Sequence, residues 1–261
     1  MLAHLPTLVV CLGAILICVT VLWLVSLYRH DASIIDAFWG LGFVLLGWMA
    51  YGLQSAASPR ALLLCILTSV WGLRLSIHLL IRNMSHGEDR RYAAMRAWHG
   101  ANFWWVSFFS VYLLQGALLW FISLPLQISA VIHQQPGIGP LDFVGSVLWL
   151  VGLCFETVGD WQLTRFNADP ANEQQVLQTG LWRYTRHPNY FGDFCVWWGF
   201  YLIAASGGAW WTIGSPLVMS ILLMQVSGVT LLESTITHRR PAYVNYQQRT
   251  SPFFPWPPRT K

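Results

Sequence analysis

Residues 180–199 hold the densest group of side chains that could do chemistry. The segment reads GLWRYTRHPNYFGDFCVWWG, and a polar, cationic and aromatic first half gives way to an apolar second half after Asp193. Pro188 lacks the amide hydrogen that would be unpaired in a first helical turn, so the sequence predicts that a helix begins there.

Arg183 and Arg186 then precede a helix N-terminus, where free amides and the positive end of the helix dipole favour an anion. This placement predicts a site for a phosphorylated ligand. The alternative is that both arginines only mark the cytoplasmic edge of a membrane helix.

The composition predicts an integral membrane protein. Of 261 residues, 55% are hydrophobic and 10% are charged, and the mean hydropathy is +0.48, far from the balance of soluble domains. The net charge of +4 requires no nucleic-acid partner, because cytoplasmic loops of membrane proteins are ordinarily positive. The cysteines have neither disulfide nor metal-ligand spacing, so no metal site is predicted.

Seven apolar runs are long enough to be membrane spans, which need roughly 20 residues each. They cover residues 5–28, 34–53, 60–81, 103–124, 141–165, 190–206 and 210–233. The loops that carry most of the arginines then fall on one side, which predicts an outside N-terminus and a cytoplasmic C-terminus. We expect an all-α protein with a single domain over residues 1–261, a signature region over 156–258, and its pocket at the cytoplasmic face.

Ionisable residues inside these runs are functional candidates, because a charge in hydrocarbon costs at least about 2.5 kcal/mol. Glu156 and Asp160 are four residues apart and share one helix face, with Asn167 two further turns along. A structural salt-bridge network is the alternative reading. The candidates are Asp36, Arg74, Glu156, Asp160, Asp193 and Glu233.

Asp36 begins the second run, beside Phe38 and Trp39, which would suit a flat apolar ligand. Helix capping could also explain this carboxylate. Arg74 lies near the middle of the third run and needs an internal partner, for which Asp36 is the nearest candidate in sequence. Residues 86–92, HGEDRRY, form a compact charged cluster between the third and fourth runs.

Common nucleotide and nucleophile motifs are absent from the sequence. There is no Gly-x-Gly-x-x-Gly, no Gly-x-x-x-x-Gly-Lys and no nucleophile elbow. A nucleotide, if bound, is therefore held by helices and loops.

The signature region resembles the DUF1295 branch of the steroid 5-alpha-reductase superfamily. The resemblance rests mainly on residues 180–193. It extends to residues 160–162 before them, to Glu233, Tyr243 and Tyr246 after them, and to residues 36–40 and 87–92. It implies a membrane oxidoreductase of lipid metabolism that binds NADPH from the cytoplasm. Hydride would pass to the conjugated carbon-carbon double bond of a lipid-like or steroid-like enone.

The resemblance also implies residue roles. Asp36 would polarise the substrate carbonyl as a hydrogen-bond donor and Tyr190 would act with it at the reacting centre. Phe38, Trp39, Trp71 and Arg74 would line the substrate site; Trp71 stands where the steroid enzymes have a tyrosine. The cofactor would be bound by Glu156, Asp160, Asn167, Arg183, Tyr184, Arg186, His187, Asn189, Asp193, Glu233 and Arg239.

Two other functions remain open from the sequence. Arg-His-Pro-x-Tyr also occurs in membrane methyltransferases that resemble the isoprenylcysteine and phospholipid enzymes and bind S-adenosylmethionine; those usually carry Glu-Glu where this chain has Glu233 followed by Ser234. The other is a non-catalytic lipid-binding protein. The expected partners are a lipid-like substrate and membrane lipids. The expected location is a bacterial inner membrane or, for a eukaryotic protein, the endoplasmic reticulum. The oligomeric state is not predicted.

Overall fold

A computed structural model describes residues 5–55, 58–84, 87–132, 137–226, 229, 233, 240 and 242–259. Every regular element in this part of the chain is helical, and the described residues form no β-strand. One isolated parallel bridge joins Thr185 to Ser251. The predicted all-α class is confirmed.

The described helices follow one another along the chain. Their bounds are α1 Leu5–Arg29, α2 Ile34–Gly52, α3 Pro59–Met84, α4 Arg90–His99, α5 Phe103–Ser107, α6 Leu114–Ile122, α7 Leu124–Val131, α8 Pro140–Asn167, α9 Pro188–Ser206, α10 Gly214–Ile221 and α11 Tyr243–Arg249. A 3₁₀ turn at Gly100–Asn102 and a π-helical stretch at Phe108–Leu113 connect α4, α5 and α6. A second π-helical stretch, Leu222–Val226, continues α10.

Five helical stretches are long and apolar enough to cross a membrane. A helix satisfies all of its internal backbone hydrogen bonds, which is why helices can cross hydrocarbon. Many apolar side chains on these stretches are exposed, including Ile17, Ile77 and Phe143, as expected for a membrane protein. The five stretches are Leu5–Arg29, Ile34–Gly52, Pro59–Met84, Arg90–Ile122 and Pro140–Asn167.

Where the structure describes them, the predicted apolar runs fall on helix except at the turn residues Leu53 and Ser123. The fourth is longer than predicted, because the helix extends back to Arg90. The sixth corresponds to α9, which has 19 residues, and the seventh to a shorter apolar helix over Trp210–Val226. The count of seven spans and their orientation stay predictions.

The chain divides into two compact units. Unit 1 contains Met1–Ile138 and Ala204–Thr212, and unit 2 contains Gly139–Ile203 and Ile213–Lys261. The signature region lies in unit 2 except for residues 204–212, whereas Asp36 lies in unit 1. The prediction of a single domain stays a prediction.

In unit 1, α2 and α3 pack along their length. The Trp48 indole donates to Ser69 Oγ at 2.8 Å, and the Leu41 amide donates to Ser76 Oγ at 2.9 Å. The middle and second half of α2 are thereby held against α3.

In unit 2, α8 and α9 approach very closely. A Cβ atom built on Gly192 would lie 2.5 Å from the Glu156 amide nitrogen and 2.6 Å from the Gly152 carbonyl oxygen. Glycine is therefore required at position 192 for this approach, which sets the acidic face of α8 beside the first turns of α9.

Candidate functional site

The loop before α9 is held by α8. Gln162 of α8 accepts a hydrogen bond from the Leu181 amide at 3.0 Å, and the Trp182 indole donates to the Gly159 carbonyl at 3.1 Å. Gly180 has a φ of +61°, and a Cβ there would lie 2.3 Å from the Gln162 side chain. The predicted helix start is confirmed, since α9 begins at Pro188.

Arg186 is buried and is the centre of an ionic network. Its Nε and Nη2 donate to the two Glu233 carboxylate oxygens at 2.7 and 2.9 Å. Its Nη1 donates to the carbonyl oxygens of Gln247 and Thr250, both at 2.8 Å. These contacts join the loop before α9 to the C-terminal tail, so a phosphate contact by Arg186 would have to compete with four existing hydrogen bonds.

Glu233 lies beyond the described apolar helix that ends at Val226. His187 Nε2 is 3.0 Å from its Oε1, and the Gln247 amide donates to its Oε2 at 3.1 Å. Burial raises the pKa of Glu233, but hydrogen bonds from His187 and Arg186 outweigh it and lower the pKa to about 2. Glu233 is therefore the anion that neutralises buried Arg186.

The tail is fixed against the same loop by further hydrogen bonds. The Arg186 amide donates to the Ser251 carbonyl at 2.9 Å, and the Thr185 hydroxyl donates to the Phe253 carbonyl at 2.7 Å. The Tyr246 hydroxyl donates to the Trp182 carbonyl. Burial raises the pKa of Tyr246, so this phenol stays a neutral donor.

A second polar group lies between α8 and α9. Glu156 and Asp160 are 3% and 7% exposed, and the Asn189 amide donates to Asp160 Oδ1 at 3.1 Å. The rings of His187 and Tyr190 are stacked, with centroids 5.4 Å apart and an angle of 4° between their planes. Buried carboxylates are good acceptors for sugar hydroxyls, and stacked rings offer an aromatic surface beside them.

The other predicted cofactor residues are placed as follows. Asp193 lies one turn after Asn189 on α9, as its sequence position requires. Asn167 is exposed at the C-terminal end of α8, and Arg183 and Tyr184 are exposed in the loop before α9. Arg239 lies outside the described residues.

In unit 1, Asp36 accepts hydrogen bonds at both carboxylate oxygens. Arg91 Nη2 donates to its Oδ2 at 2.7 Å, forming an ion pair, and the Tyr92 hydroxyl donates to its Oδ1 at 2.6 Å. The suggested pairing of Asp36 with Arg74 is therefore not the one found. Asp36 is also an acceptor here, whereas the sequence reasoning gave it a donor's role toward a carbonyl.

The Tyr92 hydroxyl is itself held in place. The Gln115 amide donates to it at 3.0 Å, and the Trp39 indole donates to Gln115 Oε1 at 2.6 Å. A continuous chain of hydrogen bonds thus runs from Trp39 through Gln115 and Tyr92 to Asp36.

The segment after α3 brings these partners to α2. Asp89 caps α4 by accepting from the Arg91 amide at 2.9 Å, and its own amide donates to Ser33 Oγ at 2.8 Å. Burial raises the pKa of Asp89, but hydrogen bonds from Arg91 outweigh this effect and leave the pKa below its usual value. Glu88 accepts from the Ala32 amide at 2.8 Å.

Sequence reasoning missed Arg91, Tyr92 and Gln115 as partners of the Asp36 group. The signal that could have found the first two is the charged cluster at residues 86–92, of which the structure describes 87–92. Trp71, placed by sequence where a tyrosine was expected, is fully buried and packs on Phe43 with ring centroids 5.9 Å apart. The phenol that hydrogen-bonds to Asp36 is Tyr92.

Comparison with known proteins gives a family. Residues 22–250 match the model described as "Protein of unknown function (DUF1295)". The chain belongs to this family. A protein of Schizosaccharomyces pombe named "Uncharacterized protein C594.04c" is 26% identical over 265 residues, covering 90% of this chain and 76% of that protein. No solved structure matches the chain.

The structure gives this DUF1295 protein two polar groups of different chemistry. The unit 2 group combines buried carboxylates, a carboxamide and stacked rings, and is suited to a sugar and a heterocycle. The unit 1 group combines the Tyr92 phenol and the Asp36 carboxylate with Arg91 and Gln115, and is suited to a single polar atom of a ligand. In the described part of the chain no three His, Cys, Asp or Glu residues are grouped as metal ligands.

Proposed function

We propose that the protein is an NADPH-dependent membrane reductase acting on the conjugated double bond of a lipid-like or steroid-like enone. The observation that carries the proposal is the buried Asp160 carboxylate, which accepts a hydrogen bond from half-buried Asn189 at 3.1 Å, next to the stacked rings of His187 and Tyr190. In this proposal the chain has seven spans, an outside N-terminus and a cytoplasmic C-terminus, in a bacterial inner membrane or the endoplasmic reticulum. Its partners are the lipid-like substrate and membrane lipids.

The unit 2 residues are assigned to the cofactor. Asp160 and Glu156 would accept hydrogen bonds from ribose hydroxyls, as acidic residues do in dinucleotide sites. Asn189 would orient Asp160 and bind the carboxamide, and Tyr190 would pack against the nicotinamide. Arg186 and Glu233 would position the loop, which leaves exposed Arg183 for a phosphate.

Charge favours NADPH over S-adenosylmethionine. Arg183 has no acidic partner in the part of the chain that the structure describes. NADPH carries phosphates that a guanidinium can bind through charge-assisted hydrogen bonds, whereas S-adenosylmethionine carries a sulfonium cation and no phosphate. The methyltransferase alternative offers this arginine only the single α-carboxylate of S-adenosylmethionine.

The unit 1 residues are assigned to the substrate carbonyl. NADPH, when bound, supplies a hydride to the β carbon of the enone. Negative charge then develops on the carbonyl oxygen, and a fixed hydrogen-bond donor stabilises it. Tyr92, whose hydroxyl donates to Asp36 at 2.6 Å, would redirect this hydrogen bond to the carbonyl oxygen. Asp36 would position the phenol, and Phe38 and Trp39 would contact the apolar body of the substrate.

Thermal stability in detergent with NADPH, NADH and S-adenosylmethionine tests the cofactor assignment. A ligand at about 100 times its Kd adds about 2.7 kcal/mol, which corresponds to a rise of about 5 to 10 °C in Tm. We expect NADPH to give this rise in the wild type and a much smaller one in Asp160→Asn.

Asp169→Asn is the matched control. It removes an exposed unit 2 carboxylate whose hydrogen bond to the Ala171 amide an asparagine can also make. The control should keep the full NADPH response. Stabilisation by S-adenosylmethionine alone would overturn the proposal.

A further inference from the structure

Unit 2 contains a cavity of about 650 Å³ that is lined by three arginines, Arg183, Arg249 and Arg259. Arg183 comes from the loop before α9, Arg249 from the last turn of α11, and Arg259 from the tail. Thr179 and Gly180 also line it. Separate segments thus contribute three arginines to the lining of one cavity.

Within the described residues, none of these three arginines has an acidic partner. No acidic side chain of the described chain lines the cavity, and no ion pair among the described residues involves any of the three. This contrasts with Arg186, three residues after Arg183, which is paired with Glu233 at 2.7 Å. Like charges that converge without an anion repel one another, so the arrangement is stabilised by an anionic ligand.

The backbone holds the arrangement in place. The Arg259 amide donates to the Arg249 carbonyl at 2.9 Å, and the Trp256 amide donates to the Tyr184 carbonyl at 2.9 Å. The tail therefore follows a defined path beside α11 and the loop before α9. These backbone contacts bring the three arginines to the lining of one cavity.

We propose that this cavity is a binding site for a phosphate group, separate from the Arg186 network. A phosphomonoester or pyrophosphate carries about two negative charges or more and several acceptor oxygens, which match three guanidinium forks better than a single carboxylate does. The Thr179 hydroxyl adds a further donor. The phosphate belongs either to a soluble nucleotide, in which case the site rests on the proposed function, or to an anionic lipid headgroup.

Titration of the detergent-purified full chain with sodium pyrophosphate tests the site by calorimetry. Arg249→Gln and Arg259→Gln should each weaken pyrophosphate binding about tenfold or more, since a charge-assisted hydrogen bond is lost. Binding should weaken as salt rises, because exposed charges are screened. The substituted side chains are exposed, and the backbone hydrogen bonds stay, so both variants should keep the wild-type Tm.

Arg165→Gln is the matched control, since Arg165 is an exposed unit 2 arginine that lies over the Trp161 ring and outside the cavity. It should bind pyrophosphate like the wild type. Equal weakening in Arg165→Gln, or no pyrophosphate binding by the wild type, overturns the proposal.

Two competition arms identify the source of the phosphate. Displacement of pyrophosphate by adenosine 2′,5′-bisphosphate, but not by adenosine, supports a nucleotide. Weaker pyrophosphate binding in nanodiscs of phosphatidylglycerol than in nanodiscs of phosphatidylcholine supports a lipid headgroup. If pyrophosphate binds and NADPH does not change the Tm, the phosphate site stands and the reductase proposal fails.

Discussion

Replacing Glu233 with glutamine removes the anion that neutralises Arg186. Arg186 is 8% exposed and donates to both Glu233 oxygens. Breaking a buried pair by removing one partner costs about 3 to 5 kcal/mol. The carbonyls of Gln247 and Thr250 remain as acceptors, so we expect a loss near the lower end of that range.

The pKa of Glu233 gives a second value for the free energy of unfolding that Glu233→Gln should lose. Its pKa in the folded protein is about 2, against an ordinary glutamate value of about 4.3. This difference corresponds to about 3 kcal/mol at neutral pH. Because the folded pKa is depressed, the stabilisation is complete above about pH 4.3 and is lost as the pH falls through about 2, with roughly half lost by pH 3.

Thermal unfolding of the detergent-purified variants measures both effects. At pH 7 Glu233→Gln should melt about 6 to 12 °C below the wild type, and its Tm should fall less steeply than that of the wild type between pH 5 and about pH 3. Glu173→Gln, which changes an exposed unit 2 glutamate, should match the wild type. Equal Tm values for Glu233→Gln and Glu173→Gln would refute the role of Glu233 as the partner of buried Arg186.

Two further predictions test each unit separately. Gly192→Ala should lower the Tm. Overpacking against the Glu156 backbone costs about 1 to 3 kcal/mol or more, which exceeds the helix-propensity gain of about 1 kcal/mol. The control Gly13→Ala, where a Cβ atom would have nothing within 4 Å, should leave the Tm unchanged or raise it. Tyr92→Phe and Asp36→Asn should each lower turnover about 100-fold or more. NADPH should still raise the Tm of both variants as in the wild type. Unchanged turnover in both variants would remove this pair from the mechanism.

The features that the sequence predicted well depend on local chemistry. A proline lacks an amide hydrogen wherever it occurs, so the start of α9 at Pro188 could be predicted from one residue and its neighbours. Long apolar runs must be helical in hydrocarbon, so the first three helices and α8 could be predicted to within a few residues, whereas the start of the fourth stretch at Arg90 could not.

The missed features depend on contacts between distant parts of the chain. Arg183 and Arg186 are chemically identical and three residues apart, but only Arg186 meets Glu233, which lies 47 residues later. Tyr92 reaches Asp36 across 56 residues. Residue type and spacing do not state which arginine is buried or which phenol meets a carboxylate, because tertiary packing decides both.

Transfer of deuterium from labelled NADPH tests the central claim most directly. Membranes that contain the wild-type protein or Asp160→Asn would be incubated with NADPH carrying deuterium at the transferable C4 position, and their lipids analysed by mass spectrometry. The reductase proposal predicts a lipid that gains one deuterium and one solvent proton with the wild type, and far less of it with the variant. Absence of deuterium from every lipid, together with an unchanged Tm in the presence of NADPH, would contradict the proposal.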